Sequence, residues 1–203
     1  MKKYAVLHEP GDIVTLAGTR FVVLDVERRG SLPDSLFLLA LESVGASEFG
    51  SSNNYAESDL KKAVDKWLED MGKRGLDNAK LIPREIDLTT LDGSGCYGKL
   101  SVKAAPLTLD EAREYADIIP NAERWCWLAT GWSGPSKSDG DLALLVDSNG
   151  DWDDGNCANS YGIRPALKIP SDLLLDSADK PDLSEVPTDT LLEEIRRRVV
   201  DKA

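Results

Sequence analysis

The stretch from Trp125 to Leu167, WCWLATGWSGPSKSDGDLALLVDSNGDWDDGNCANSYGIRPAL, constrains this chain more than any other. It holds four of the five tryptophans and two of the three cysteines, set among Gly, Ser, Asn and Asp. Trp125 and Trp127 alternate with Cys126 and Leu128, which fits a strand with two different faces. Leu142 to Val146 is a second short β-rich run. Ser148-Asn149-Gly150-Asp151 carries the Asn-Gly core of a two-residue hairpin turn, so Trp152 opens the returning strand. Ile163 to Ile169 reads as the last strand. The polar connections between these runs carry Trp132, Asp139, Trp152, Asn156, Asn159 and Tyr161. Rigid aromatics among short hydrogen-bonding side chains, held on loops by a scaffold, make a recognition surface. Those six are the candidate ligand-binding residues.

Upstream, Ile13 to Leu16, Phe21 to Val26 and Leu36 to Leu41 are apolar runs punctuated by Gly, Ser, Pro and Asp, the pattern of an antiparallel meander. A helix follows from Glu57 or Ser58 to Gly72. Leu60, Ala63, Val64, Trp67, Leu68 and Met71 recur at helical spacing, while Lys61, Lys62, Asp65, Lys66 and Glu69 point away. Trp67 is therefore a structural residue. Leu81 to Leu91 alternates weakly, and Pro83 argues against a central strand. The segment DGSGCYGKL reads as a loop. Thr108 and Glu111 form a capping-box signature for a short helix, LDEAREYAD, closed off by Pro120. After Pro170 the composition turns acidic, with Pro181 and Pro187, as in a linker over 171–187. A last helix over 188–203 has Leu191, Leu192, Ile195 and Val199 on one side. A helix this short is marginal alone, so it is expected to dock on the body or to self-associate.

The chain has 203 residues, 41% hydrophobic and 30% charged, which suits one globular domain, over 1–170, with an appendage. A net charge of −12 without any Lys/Arg stripe sets nucleic acid aside as a partner. The N-terminal MKKYAVLHEPGD lacks the apolar region of a signal peptide. No apolar run approaches the roughly 18 residues that span a bilayer, so the expectation is a cytoplasmically made protein without membrane insertion.

With this order of elements, the chain over about 11–170 resembles a bacterial and phage domain of unknown function. The residues that carry the likeness are the SDLKKAVDKWL and LTLDEAREY helices, the Trp-rich strand and GIRPAL at Gly162 to Leu167. Members of that family have a WWLRS-type strand followed, after one hairpin, by GVRPAL. Here Cys126 stands for the first of those tryptophans and Ala129 for the arginine. The resemblance implies an α+β, C-type-lectin-like fold, with a small twisted antiparallel sheet, two helices and long loops, shared with formylglycine-generating enzymes and with the variable proteins of diversity-generating retroelements. It also implies a phage or prophage, virion-associated setting.

Chemistry is sparse. His8 is the one histidine, so a histidine-based triad or iron site has little to draw on. Cys96, Cys126 and Cys157 lie far apart with no CxxC, so the reading is three reduced thiols and not a redox or copper-binding pair. Asp147, Asn149, Asp151 and Asp153 have the odd-position oxygens of a calcium loop, with Asp154 beside them. Trp152 sits where that loop needs Gly, and Ala158 where it needs Glu. Calcium is the one cofactor to test. Trp127 is expected in the core, and Arg164 is expected to be structural, buried against an acidic partner. The function that follows is a non-catalytic recognition module presenting its late loops to a protein or glycan ligand. The alternatives are a structural virion subunit assembled through the C-terminal helix and an oxidase of the formylglycine-generating type.

Overall fold

A computed structural model describes residues 2–4, 8–29, 32–147 and 149–177. In chain order these form β1 (Lys2–Tyr4), β2 (Ile13–Leu16), β3 (Thr19–Arg29), β4 (Leu32–Ala40) and β5 (Ala46–Glu48). A 3-10 turn at Tyr55–Glu57 leads into α1 (Asp59–Lys73), then β6 (Arg84–Asp87), β7 (Lys99–Val102), β8 (Ala104–Ala105) and α2 (Leu109–Glu114). The remainder is β9 (Cys126–Gly131), β10 (Leu142–Val146), β11 (Trp152–Asn156), β12 (Ser160–Gly162), β13 (Ala166–Pro170) and β14 (Leu174–Ser177).

The fold is α+β, with two α-helices among the described residues and mostly antiparallel sheets. A seven-stranded antiparallel sheet runs β1-β14-β2-β3-β4-β13-β8, and a five-stranded sheet runs β11-β10-β9-β12-β5. In the smaller sheet β12 lies parallel to β9 and its other pairings are antiparallel. The expected meander is β2-β3-β4. Its apolar runs are nearly unbroken because the large sheet is covered on both faces. Phe21, Val23, Leu36 and Leu38 pack with α1 and Trp127, while Val22, Leu24, Phe37 and Leu39 pack with Leu109, Ala112, Leu128 and Leu144. Burying each such side chain contributes about 1.5–3 kcal/mol, so the two cores together supply most of the driving force for folding.

Helix α1 starts where the sequence places it. The Ser58 hydroxyl accepts from Lys61 N at 2.9 Å, and Leu60, Val64, Leu68 and Met71 are buried. Trp67 packs on that core with its ring 6.3 Å from Phe21. The capping box of α2 is also formed: Glu111 N donates to Thr108 Oγ1 and Thr108 N donates to Glu111 Oε2. Glu111 does more than cap, because its other oxygen accepts from the buried Arg84 guanidinium. Arg84 Nη2 in turn donates to the carbonyls of Ala105 and Pro106, both at 3.0 Å.

Four expectations are corrected. β7 begins inside the segment read as a loop and pairs with β6 in a two-stranded sheet, so the Leu81–Leu91 region holds no central strand, in keeping with Pro83. Ile163 to Ile169 is not one strand. Gly162 ends β12 in the small sheet, β13 begins at Ala166 in the large one, and Ile163-Arg164-Pro165 crosses between them. Pro165 has no N–H to offer a ladder, but its carbonyl accepts from Ala40 N at 2.9 Å. The chain also stays in the sheet past Pro170, since Leu174–Ser177 pairs with both β1 and β2. Finally, the hairpin turn is longer than two residues. Gly150 N donates to Asp147 O, Asp147 N donates to Asp151 O at 2.9 Å, and Gly150 has φ +89°. That is the longer hairpin closure that places Gly in the left-handed region. The rest of the linker, 178–187, and the helix expected over 188–203 lie outside the described residues. Among the described residues, no helix is long and apolar enough to cross a membrane.

Three substitutions test this account. Thr108→Ala removes only a cap and is expected to cost about 1 kcal/mol. Glu111→Ala also strands the buried Arg84 charge and is expected to cost about 3 kcal/mol; equal losses in urea unfolding would show that the Arg84 pair contributes nothing. In Gly162→Ala the new Cβ would stand 2.8 Å from Cys126 Sγ, 2.9 Å from Ser43 Oγ and 3.0 Å from the Trp125 carbonyl. Such overpacking costs about 1–3 kcal/mol, and an unshifted urea midpoint would refute it.

Candidate functional site

The connections after β9 and β10, together with α2, enclose two adjoining clefts on one side of the small sheet. The register of the β10–β11 hairpin sets Trp152 opposite Val146, so both side chains lie on the α2 side. The outer cleft, about 520 Å³, has Trp132 and Trp152 in its wall together with Leu91, Leu109, Arg113 and Leu144. Trp152 is 39% exposed, with the Arg113 guanidinium 5.8 Å from its ring centre. Trp132 is held from both sides, its N–H donating to Leu142 O and its carbonyl accepting from Asp92 N. The two indoles therefore stand on hydrogen-bonded backbone and need little reordering to meet a ligand.

The inner cleft, about 200 Å³, shares Trp152 and Ala116 with the outer one. Leu107, Ala112, Ile119, Leu128 and Val146 make it apolar, and Arg164, Asp147, Asn121 and Asn149 supply its polar groups. Arg164 is 4% exposed. Its Nε donates to Ala40 O and its Nη1 to Pro120 O, both at 3.1 Å, while its Nη2 is buried without a partner. The expected acidic partner is missing: no carboxylate forms an ion pair with Arg164 among the described residues. Two carbonyls take its place because Arg164 sits in the crossover between the sheets, where chain ends converge and backbone oxygens are at hand. Burial pulls its pKa below the ordinary arginine value, partly offset by the nearby Cys126.

The six candidate ligand residues are divided by the fold. Trp132 and Trp152 share the outer cleft. Asp139, Asn156, Asn159 and Tyr161 line neither cleft. Tyr161 lies on the opposite face of the small sheet, edge-on to Trp127 at 4.9 Å, where it helps bury that indole. Trp127 is in the core, as expected, with Nε1 donating to Ser47 O. A Cβ at Gly155 would stand 2.7 Å from Leu145 Cδ1 and 2.8 Å from Tyr161 Cε2, so a glycine there permits this packing. Asn156 has local duties, donating to Asp141 Oδ2 and accepting from Ala158 N. Asp139 takes a bond from Ser138, and Asn159 is exposed beyond β11.

The calcium candidates Asp147, Asn149, Asp151 and Asp153 lie around the β10–β11 hairpin. Asp147 Oδ1 accepts from Asn149 N at 2.7 Å and Asp151 N at 2.8 Å, so this carboxylate closes the hairpin. Asp153 and Asp154 fall on β11, where strand alternation sends successive side chains to opposite faces. Among the described residues no group of three or more His, Cys, Asp or Glu is placed to hold a metal ion.

Residues the sequence reading missed are Arg113, Ala116, Ile119, Pro120 and Asn121, all supplied to the clefts by α2 and the segment after it. Their only local signal was the apolar side of a short helix. It says that the helix packs, not that a cavity remains beside it.

The cysteines are all free. Burial pushes the Cys126 thiol up to about 11 against a smaller opposing pull from Arg164, and the Cys157 thiol up to about 12 with help from Asp141. Both are then protonated at neutral pH and poor nucleophiles. In the native chain iodoacetamide at pH 8 is expected to label the exposed Cys96 alone, with Cys126 and Cys157 labelled only in urea. Peptide mass spectrometry reads this directly, and native labelling of Cys126 as fast as Cys96 would overturn it.

No family model, no curated protein and no solved structure matches the chain.

Proposed function

We propose that this chain is a non-catalytic recognition module of C-type-lectin-like build, which holds a protein or glycan ligand in the groove formed by the two clefts. The observation that carries this reading is the meeting of Trp132 and Trp152, from different connections, in the wall of one open cleft. Aromatic anchors with few rotatable bonds supply contact area at low entropic cost, and Arg113 beside Trp152 adds a planar donor suited to carbonyl or hydroxyl groups. The antiparallel sheets, two helices and long connections are compatible with the lectin-like reading. The buried, protonated state of Cys126 and Cys157 fits the non-catalytic reading better than an oxidase. A place on a phage or prophage particle remains part of the proposal and rests on the sequence resemblance; self-association through the segment 188–203 rests on the spacing of Leu191, Leu192, Ile195 and Val199.

The test is binding of the purified full chain to a panel of bacterial envelopes and isolated glycans, with calcium and with chelator. Saturable binding is expected, weakened about thirtyfold or more by Trp132→Ala/Trp152→Ala, the scale of a central aromatic anchor. Chelator is expected to leave it unchanged, because Asp147 already serves the hairpin. Undiminished binding by the double variant, or no binding to any member of the panel, would overturn the groove as the recognition face.

A further inference from the structure

The inner cleft pairs two things that do not ordinarily coexist in a folded interior: a mostly apolar wall and a guanidinium without a counter-ion. Buried charges are paired as a rule, because an isolated one in a low-dielectric setting is strongly destabilising. Arg164 has three donor nitrogens in this setting. Nε and Nη1 are matched to the neutral carbonyls of Ala40 and Pro120, and Nη2 is matched to nothing. Neither the positive charge nor that last donor is answered from within the described chain.

We infer that the inner cleft binds the carboxylate of an apolar monobasic organic acid beside the Arg164 guanidinium, the apolar body lying against Leu107, Ala112, Ile119, Leu128 and Val146. A planar carboxylate matches a guanidinium, and its charge answers the one that no ion pair among the described residues meets. The volume, about 200 Å³, holds roughly seven water-sized units at about 30 Å³ each, the scale of a small acid or one terminal leucine. Asp147, also in the lining, sets the limit on charge. It is 9% exposed and turns one oxygen to the hairpin backbone, so a second negative charge on the ligand would face an acid it cannot displace. The chain's net charge of −12 works in the same direction, against polyanions. This inference rests on the groove reading above, since the inner cleft shares Trp152 and Ala116 with the outer one.

The experiment titrates the full chain with N-acetyl-leucine, N-acetyl-leucinamide and phenylacetate, read by ligand-observed NMR and by the fluorescence of the cleft tryptophans. N-acetyl-leucine is expected to bind at least tenfold more tightly than its amide. Binding of phenylacetate alongside it identifies free acids as sufficient, while binding of N-acetyl-leucine alone identifies a peptide terminus as the source of the carboxylate. Arg164→Lys, which keeps the charge and loses the forked donor, is expected to reduce the preference for acid over amide. Because that buried substitution can unfold the chain, Ala116→Trp is the second variant. Ala116 is exposed at the shared wall, so its replacement fills the cleft while leaving the urea midpoint unchanged. Equal affinity for acid and amide, binding of neither, or unimpaired binding by Ala116→Trp would overturn the inference. If envelope or glycan binding still depends on Trp132 and Trp152 in that case, the carboxylate site alone falls and the recognition groove stands.

Discussion

Burial of the Arg164 guanidinium at the crossing between the two sheets is the constraint on which the arrangement around the clefts depends. Removing such a group from water costs several kcal/mol even after relaxation, so the neighbouring backbone is committed to it. Ala40, at the end of β4, and Pro120, after α2, both turn their carbonyls to this one side chain. On either side of it the crossover is tied down, with Val44 N donating to Ile163 O and Ala40 N donating to Pro165 O, each at 2.9 Å. One side chain thereby links the large sheet, the link between the sheets and the segment that roofs the inner cleft.

Much of the fold was legible because its signals are local. The Ser58 cap, the Thr108–Glu111 box, the stripe on α1 and the β2-β3-β4 runs each follow from residues within a turn or a strand of one another. The sites where reading failed are those where a distant group decides. Nothing near Arg164 in sequence indicates that its partners are carbonyls of Ala40 and Pro120 instead of a carboxylate. Tyr161 has the loop composition of a binding residue, but the Trp127 edge and the close approach at Gly155 pack it, partly buried, against the core. The six candidate residues were chosen for composition, which does not report on which face of a sheet each will lie.

Covering the large sheet on both faces also explains why the groove lies where it does. α1 and the Trp127 face of the small sheet cover one side. On the other side α2 is short, and Tyr115, Ile118 and Ile119 after it pack only partly buried on the core that holds Leu128 and Leu144. The clefts are the space between a helix that ends early and a hairpin that continues. Their walls are thus ordinary core residues, Leu107, Leu109, Leu128 and Leu144, and their rim is the two tryptophans.

The face on which Trp152 lies depends on the turn. With a two-residue Asn149-Gly150 loop, Trp152 would pair with Asp147, and its side chain would go to the Leu145 side of the sheet, where Trp127 is already packed. Closure on Asp147 and Asp151 instead pairs Trp152 with Val146 and sends it to the α2 side. Gly150 at φ +89° and the two bonds to Asp147 Oδ1 select that closure. The acidic turn that resembles a metal loop in sequence is therefore the device that fixes strand register. A change of one residue in that register would remove the rim of the groove without altering any residue that lines it.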